Sequence, residues 1–307
     1  MTKPIAYIIL NFNLPSKVKK LQDAHKEFID HLKSKKRTSA TILAYGKDIE
    51  QLIAHLEKEQ KVHVHEVTAE DIRNFLTNLE KTGYTTKSLS RKLNATKTFF
   101  RFLKIQEYIT DDPASLVEHP KFETKPPRIL TPTEYRALRD AARDDVRIAA
   151  VIEVLLQTGI RIGELANLKV DDVYSGNGRE GHLYIAPQEN RLERTVPLNK
   201  SAESASKRYL EIRPKTTNKA LFVTKNGKPL LVRNIRTAID RFYRKAGIAG
   251  AKVNDLRHTW VAHHLSRGTS LLLISKVAGH KRLSTTERYL AIVQPPNGEE
   301  KVKLEEL

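Results

Sequence analysis

Residues 117–130, VEHPKFETKPPRIL, hold three prolines and five charged side chains. A proline has no backbone N–H to donate and holds the residue before it out of the α region. No continuous helix or central strand crosses such a stretch, so the chain must build one core before it and another after it. The chain has 307 residues and is 39% hydrophobic, enough for two domains of ordinary size. The boundaries read as an N-terminal extension (1–15), a helical domain (16–116), a linker (117–130), a second domain (131–292) and a tail (293–307).

The first domain reads as four helices. Ser16 caps the first, whose apolar face is Val18, Leu21, Ala24, Phe28 and Leu32 at helical spacing, and the basic run 33–37 ends it. Thr38 or Ser39 caps the second, with the stripe Ile42, Tyr45, Ile49, Ile53 and Leu56. The third starts at Thr68, paired with Asp71 in a box-like pattern, and stops at Gly83. The fourth runs from about Thr85 to Ile105 and contains no acid. Leu89, Leu93, Thr96, Phe100 and Leu103 form its inner stripe. Its other face carries Lys87, Arg91, Lys92 and Lys97, with Ser90 and Asn94 between them. Long cationic side chains interleaved with short polar ones suit phosphate and groove contacts. Ile5 to Leu10 is an apolar run that suits either a strand or a docking segment.

The second domain opens on Thr131-Pro132, a cap followed by proline at the first helical position. Residues 146–157 form a nearly continuous apolar helix, stopped by Gly159. Residues 169–198 change period to short β-like runs, VDDVY, HLYIA and ERTVPL, with turns at 175–178 and 187–191. They read as a small antiparallel sheet. Helices resume over 201–212, 232–246, 254–267 and 271–277, and from Ser284 onward. The fold class is therefore mainly α with a small antiparallel β-sheet.

Lys and Arg number 54 against 36 Asp and Glu, a net charge of +18, and the pI is about 9.8. That excess calls for a polyanionic partner, nucleic acid above all. Cysteine is absent, which excludes a disulfide framework or a thiolate metal site. His258, His263 and His264 do not match the spacing of a zinc-binding helix, so no metal is expected. No apolar run approaches the roughly 20 residues that span a bilayer; a cytoplasmic protein without membrane contact is expected.

Four residues separated widely in sequence share one chemistry. Arg161 follows the Gly159 turn in TGIRIGEL, and Arg257 lies in VNDLRHTWVAHHL. His280 follows Gly279 in VAGH, and Tyr289 lies in STTERYL. Two guanidiniums can clamp a phosphate, a histidine can add a hydrogen bond, and a phenol can be the nucleophile.

The order TGIRIGEL, ERTVPL, NDLRHTWVAHHL, VAGH and TTERY resembles the catalytic domain of the tyrosine site-specific recombinases, the phage integrase and Xer-type family. The four preceding helices resemble that family's SAM-like core-binding domain. The resemblance covers roughly residues 20–290 and implies a C-shaped clamp of two domains around duplex DNA, working without metal or nucleotide cofactor. It implies that Arg161 and Arg257 bind the scissile phosphate with His280. Tyr289 would form a 3′-phosphotyrosyl bond that another strand's 5′-hydroxyl reseals. Glu164 would orient Arg161, and His258 would buttress the site. The implied partners are duplex DNA with inverted-repeat core sites and three further copies of the chain, a homotetramer that exchanges strands through a Holliday junction. The tail would dock onto a neighbouring copy.

Two positions depart from the family pattern. Asn254 stands where histidine or lysine is usual, three residues before the second arginine; an amide can donate to a phosphate oxygen but cannot carry its proton. Glu189 stands where the family places its hairpin lysine, and no lysine lies between Lys169 and Lys200. Arg191 and Arg194 are the nearest cations, and Arg191 is the candidate to stabilise the leaving oxygen. These departures keep open a non-cleaving DNA-binding protein on the same scaffold; a topoisomerase that relaxes DNA without a defined site is a third reading.

Overall fold

The structure, a computed structural model, describes residues 18–121, 125–174, 181–188 and 191–293. The N-terminal run at 5–10, Ser16, the turn at 175–178, Glu189 and the tail beyond 293 lie outside the described residues. Two compact units divide the chain at Thr124/Lys125.

The first unit contains α1 (Leu21–Ser34), α2 (Ser39–Lys58), α3 (Ala69–Lys81) and α4 (Thr86–Ile105). The hydroxyls of Thr38, Thr68 and Thr85 accept from backbone N–H groups three residues on, as their positions before apolar-periodic runs predict. Thr68 and Asp71 form the expected reciprocal box. The core is built around Phe28, whose ring meets Phe99 edge-on at 5.2 Å between centroids. The inner stripe of α4 is buried as the periodicity predicts.

Two details of this unit differ from the sequence reading. The first helix begins at Leu21, not at Ser16, and Val18 is 61% exposed. Residues 19 and 20 are instead extended against 62–64, with Leu21 N–H donating to Val62 O and Val64 N–H to Lys19 O. Backbone pairing outside the helix wins over one more turn. Lys92 is the second correction. It lies on the buried side of α4, 5% exposed, where Nζ donates to Asp48 Oδ1 at 2.9 Å and to Gln51 Oε1 at 2.5 Å. A 20-residue helix packed against α1, α2 and α3 buries more than one narrow stripe, and a lysine on its margin turns inward when a carboxylate waits there.

The second unit is a helical shell on a main core cluster, with a smaller cluster around Trp260 and Tyr289 and a three-stranded sheet at its side. Its elements are α5 (Pro132–Ala142), α6 (Val146–Thr158), α7 (Ile162–Asn167), β1 (Val173–Tyr174), β2 (His182–Ile185), β3 (Arg194–Pro197), α8 (Lys200–Ile212), α9 (Val232–Lys245), α10 (Val253–Ser266), α11 (Leu271–Ala278) and α12 (Ser284–Glu287). β1, β2 and β3 pair antiparallel in chain order, with Leu183 opposite Val196. α6 runs through the centre and buries eight of its residues, with Asp145 capping its start. Such an all-round apolar helix needs neighbours on every side, and α5, α8, α9 and α10 supply them.

Two glycines end helices in the left-handed conformation. Gly159 (φ 62°) follows α6 and Gly279 (φ 66°) follows α11. Both also sit where no side chain fits. A Cβ on Gly159 would meet the Trp260 indole at 2.4 Å, and one on Gly279 would meet Arg194 Cζ at 2.8 Å. The helix expected to carry Tyr289 is a single turn, Ser284–Glu287, and Tyr289 lies in the turns that follow. Its N–H donates to Thr286 O at 3.0 Å. No helix among the described residues is long and apolar enough to cross a membrane.

Candidate active site

Three arginines meet at the C-terminal end of α11. Arg161 Nη1, Arg194 Nη2 and Arg257 Nη2 all donate to Ala278 O, at 3.1, 3.4 and 2.7 Å. Arg194 Nε also donates to Val277 O at 2.7 Å, and Arg161 Nη2 to Gly279 O at 2.6 Å. A helix C-terminus presents unsatisfied carbonyls and about half a negative charge, so it gathers guanidiniums that would otherwise repel. Arg257 reaches across to the other helix end as well, where Nη1 donates to Gly159 O. The two left-handed glycines thus turn their carbonyls toward one cluster.

Glu164 is the counter-charge. It is 3% exposed and lies at the third position of α7. One carboxylate takes the Arg161 backbone N–H (2.9 Å), Arg161 Nη1 (3.0 Å), and both terminal nitrogens of Arg194 (3.1 and 2.7 Å). Burial alone would push its pKa up. The Arg194 hydrogen bonds, the Arg161 N–H and the two guanidinium charges outweigh that and hold it at about 2. The carboxylate thus bonds both the backbone and the side chain of Arg161.

Three guanidiniums around one carboxylate leave two positive charges uncompensated by the cluster. Burial, then the neighbouring Arg161 charge, lower Arg257 to about 9, so it stays protonated at neutral pH under electrostatic stress. Each guanidinium carries five donors in a planar fork, so carbonyl contacts leave capacity for an oxyanion. An arriving phosphate would relieve the repulsion.

His280 follows the Gly279 turn. Its Nδ1 lies 2.7 Å from the hydroxyl of Thr286, a fully buried residue at the end of the next element. Burial and the charges of Arg257, Arg161 and Arg194 lower its pKa to about 3. It is therefore neutral at pH 7. With the Thr286 hydroxyl donating to Nδ1, its Nε2–H becomes a hydrogen-bond donor without charge.

Tyr289 is 4% exposed and packs with Trp260, Ile274 and Ala278. Its hydroxyl lies 2.5 Å from His258 Nδ1, and His258 Nε2 lies 2.7 Å from Asn254 Nδ2. Burial raises the Tyr289 pKa, partly opposed by Arg257 and Arg288. His263 and His264 stand apart from this chain, with His264 packed on the Trp260 ring.

Of the remaining candidates, Arg191 is exposed and closes the β2–β3 hairpin. Its N–H donates to Gln188 O at 2.7 Å, and Gln188 N–H returns to Arg191 O at 3.1 Å. Its charge is felt at Arg161. Lys87, Arg91 and Asn94 are exposed on α4, and Lys97 and Ser90 are half-buried. Ser90 Oγ lies 3.4 Å from His119 Nδ1, and Arg91 Nη1 donates to Asp48.

Arg194 was not singled out from the sequence as part of the site. The signal was present: Arg194 and Val196 are two apart on β3 and so share a face. Val196 is fully buried. The Asp48 cluster carried no comparable signal, because its partners lie 43 and 44 residues away.

Residues 128–294 match the phage integrase family and residues 26–107 match the phage integrase N-terminal SAM-like domain. The chain is 30% identical over 275 residues to the tyrosine recombinase XerC of Roseiflexus castenholzii, covering 85% of this chain and 86% of that protein. Among solved structures it is similar to the XerH site-specific recombinase bound to palindromic difH substrate in a post-cleavage complex. That match has a TM-score of 0.73 at 19% identity and covers 89% of this chain and 81% of the other. It is also similar to a lambda integrase tetramer bound to a Holliday junction, with a TM-score of 0.71 at 18% identity, covering 86% and 78%.

Proposed function

The chain belongs to the phage integrase family of tyrosine recombinases, and on that premise we propose that it cuts and rejoins duplex DNA at a specific site through Tyr289. The observation that carries this reading is the meeting of Arg161, Arg194 and Arg257 on one carbonyl, Ala278 O, in the same unit as Tyr289. Nothing about stability requires three guanidiniums at one point. A phosphodiester in transit, with charge growing on its oxygens, does.

In the proposed reaction Arg161 and Arg257 hold the two non-bridging oxygens, with His280 Nε2–H as a further donor. Arg194 holds Glu164, and Glu164 holds Arg161 in place. The Tyr289 oxygen attacks phosphorus and leaves the protein on the 3′ phosphate, with a free 5′-hydroxyl on the other strand end. The phosphotyrosyl bond keeps the phosphodiester energy, so rejoining needs no nucleotide. Arg191 on the hairpin tip stabilises the leaving 5′ oxygen by its charge, since a guanidinium is a poor proton donor. The exposed Lys87 and Arg91 and the half-buried Lys97 of α4 contact phosphates of the duplex with Ser90 and Asn94 between them. Four copies on two inverted-repeat core sites would exchange strands through a Holliday junction in the cytoplasm; the relatives' assemblies on DNA support that stoichiometry.

The test is a nicked suicide duplex carrying the DNA that flanks the gene, incubated with the protein and run on a denaturing gel. A covalent adduct that disappears in Tyr289→Phe is the expected result. Shifted bands on a native gel with no adduct would replace the reading with that of a non-cleaving DNA-binding protein. Relaxation of any supercoiled plasmid, whatever its sequence, would replace it with a topoisomerase. Arg191→Ala is expected to slow adduct formation more than it weakens binding; equal losses would make it an ordinary phosphate contact.

A further inference from the structure

Asn254, His258 and Tyr289 form a hydrogen-bonded chain that ends on the reacting oxygen. Asn254 and His258 lie four residues apart on α10, so their side chains stack along one face. Asn254 Nδ2 is 2.7 Å from His258 Nε2, and His258 Nδ1 is 2.5 Å from the Tyr289 hydroxyl. The imidazole is half-buried and the phenol is buried. We propose that His258 is the general base that takes the Tyr289 proton, and that Asn254 selects which His258 nitrogen is free to take it. This assignment rests on the recombinase reading above.

An amide differs from the histidine or lysine that the family places at position 254. It offers a donor and an acceptor from one site, and a half-turn about its terminal torsion exchanges them. With Nδ2 facing His258, Asn254 donates to Nε2, and the ring carries its proton on Nδ1. That tautomer donates to the tyrosine oxygen. With Oδ1 turned to Nε2, the ring carries its proton there, and Nδ1 presents a lone pair to the phenol. The second arrangement starts cleavage, and Oδ1 goes on accepting from Nε2–H once the ring is an imidazolium.

The step balances as follows from the bonds involved. The Tyr289 O–H bond breaks and its proton joins the Nδ1 lone pair, giving an imidazolium. The tyrosine oxygen bonds to phosphorus. The phosphorus–O5′ bond breaks, its electron pair leaves on the 5′ oxygen, and that oxygen takes a proton from water. On rejoining, the incoming 5′-hydroxyl gives its proton back to water as its oxygen bonds to phosphorus, and the displaced tyrosine oxygen recovers its proton from His258.

The surroundings keep the base unprotonated before the reaction. Burial lowers the His258 pKa first, Asp255 opposes, and Arg257 adds to the lowering. The other groups facing the chain are Arg257 and Arg288, which act on Tyr289, and His280, which is itself neutral. A buried phenol whose pKa is raised by burial needs such a base at neutral pH.

The test measures single-turnover adduct formation on the suicide duplex with protein in excess, across pH, for the full chain and its variants. His258→Ala is expected to lose about 10²- to 10⁴-fold near neutral pH. The loss should shrink as pH rises and hydroxide removes the phenolic proton, and added imidazole should restore part of the rate. His258→Gln, which keeps most of the side-chain volume, should behave the same without imidazole. A structural role predicts equal loss at every pH and no rescue, and that result overturns the assignment. DNA affinity unchanged in both variants shows that they fold. For Asn254, Asn254→Asp keeps an acceptor at Nε2 and adds a charge that favours the imidazolium. Its acid limb should move to higher pH, whereas Asn254→Leu should slow cleavage of bound DNA with no such move. Superimposed profiles for Asn254→Asp and the parent overturn the role of Asn254. An adduct from the parent matched by His258→Ala at all pH overturns only this inference; no adduct from the parent overturns the recombinase reading and this with it.

Discussion

Each unit of the molecule buries one carboxylate between two cations, and the two clusters have different consequences. In the first unit Asp48, 3% exposed, accepts from Arg91 and from Lys92. Lys92 is buried and spent on the pair, while Arg91 keeps nearly half its side chain in solvent. In the second unit Glu164, also 3% exposed, accepts from Arg161 and Arg194. There a third guanidinium, Arg257, crowds in and the helix-end carbonyls of α6 and α11 hold the set. The first cluster ties α2 to α4. The second stores positive charge at a fixed place. A buried carboxylate by itself does not mark a site; an excess of cations held around it by backbone carbonyls does.

The largest expected effect comes from Glu164→Ala. Removing one partner from a buried ionic cluster costs about 3–5 kcal/mol of stability. Misplacing Arg161 should also cut adduct formation by at least about 10²–10³-fold, as loss of a transition-state donor does elsewhere. Asp48→Ala should cost the first unit a similar stability, about 3–5 kcal/mol, but leave the cleavage rate of bound DNA unchanged. Thermal melting and single-turnover cleavage measure the two effects. Equal losses of cleavage in both variants would break the distinction between the clusters.

A double replacement sharpens it. Asp48→Leu with Lys92→Leu should recover most of the stability lost by Asp48→Ala, because buried pairs replaced by apolar residues are often neutral or better by about 1–4 kcal/mol. Glu164→Leu with Arg194→Leu should recover stability and not cleavage. Failure of the first pair to recover would show that Asp48 acts through Arg91 more than through Lys92.

Acid should separate the clusters next. His280 is held neutral in the folded chain at a pKa of about 3, below its unfolded value of roughly 6.5. Its contribution to stability is present above that unfolded value and is lost as pH falls toward 3. Glu164, held at about 2, contributes above its unfolded value of roughly 4.3 and loses that as pH falls further. Glu164→Gln should therefore flatten the stability curve below about pH 4, and His280→Asn should flatten it between about pH 6 and 3. Chemical denaturation across pH checks both.

The smallest effects belong to the exposed face of α4. Arg91→Ala or Lys97→Ala should weaken DNA binding and lower the slope of log affinity against log salt by about 0.9 per lost phosphate contact. Lys92→Met should leave the slope unchanged, since that lysine faces Asp48. A slope that falls for Lys92 and not for Arg91 would reverse the assignment of faces.

Much of the fold was legible because its signals are local. Thr68 with Asp71, Thr131 before Pro132, and the apolar run after Asp145 each act within a few residues, and each marks its helix start. The sheet was legible from the change of period over residues 169–198, where HLYIA and ERTVPL hold the two paired strands. The site was legible as residue types in order, but not as geometry. Nothing local in Arg194 shows that it bonds to Glu164, 30 residues earlier, or that the carbonyl of Ala278 gathers three guanidiniums. The start of α1 was misread because pairing of residues 19 and 20 with 62–64 is a long-range competitor to one more helical turn. Lys92 was misread because a helix face drawn from charge alone does not show a carboxylate on the neighbouring helix.

The most direct measurement is peptide mapping of the trapped complex. Protein is reacted with the suicide duplex, digested with nuclease and protease, and analysed by mass spectrometry. A nucleotide phosphate is expected on the peptide containing Tyr289 and on no other tyrosine, with Arg161→Ala and Arg257→Ala abolishing it while binding persists. A nucleotide on a different residue, or full modification of Tyr289 without those arginines, would contradict that expectation.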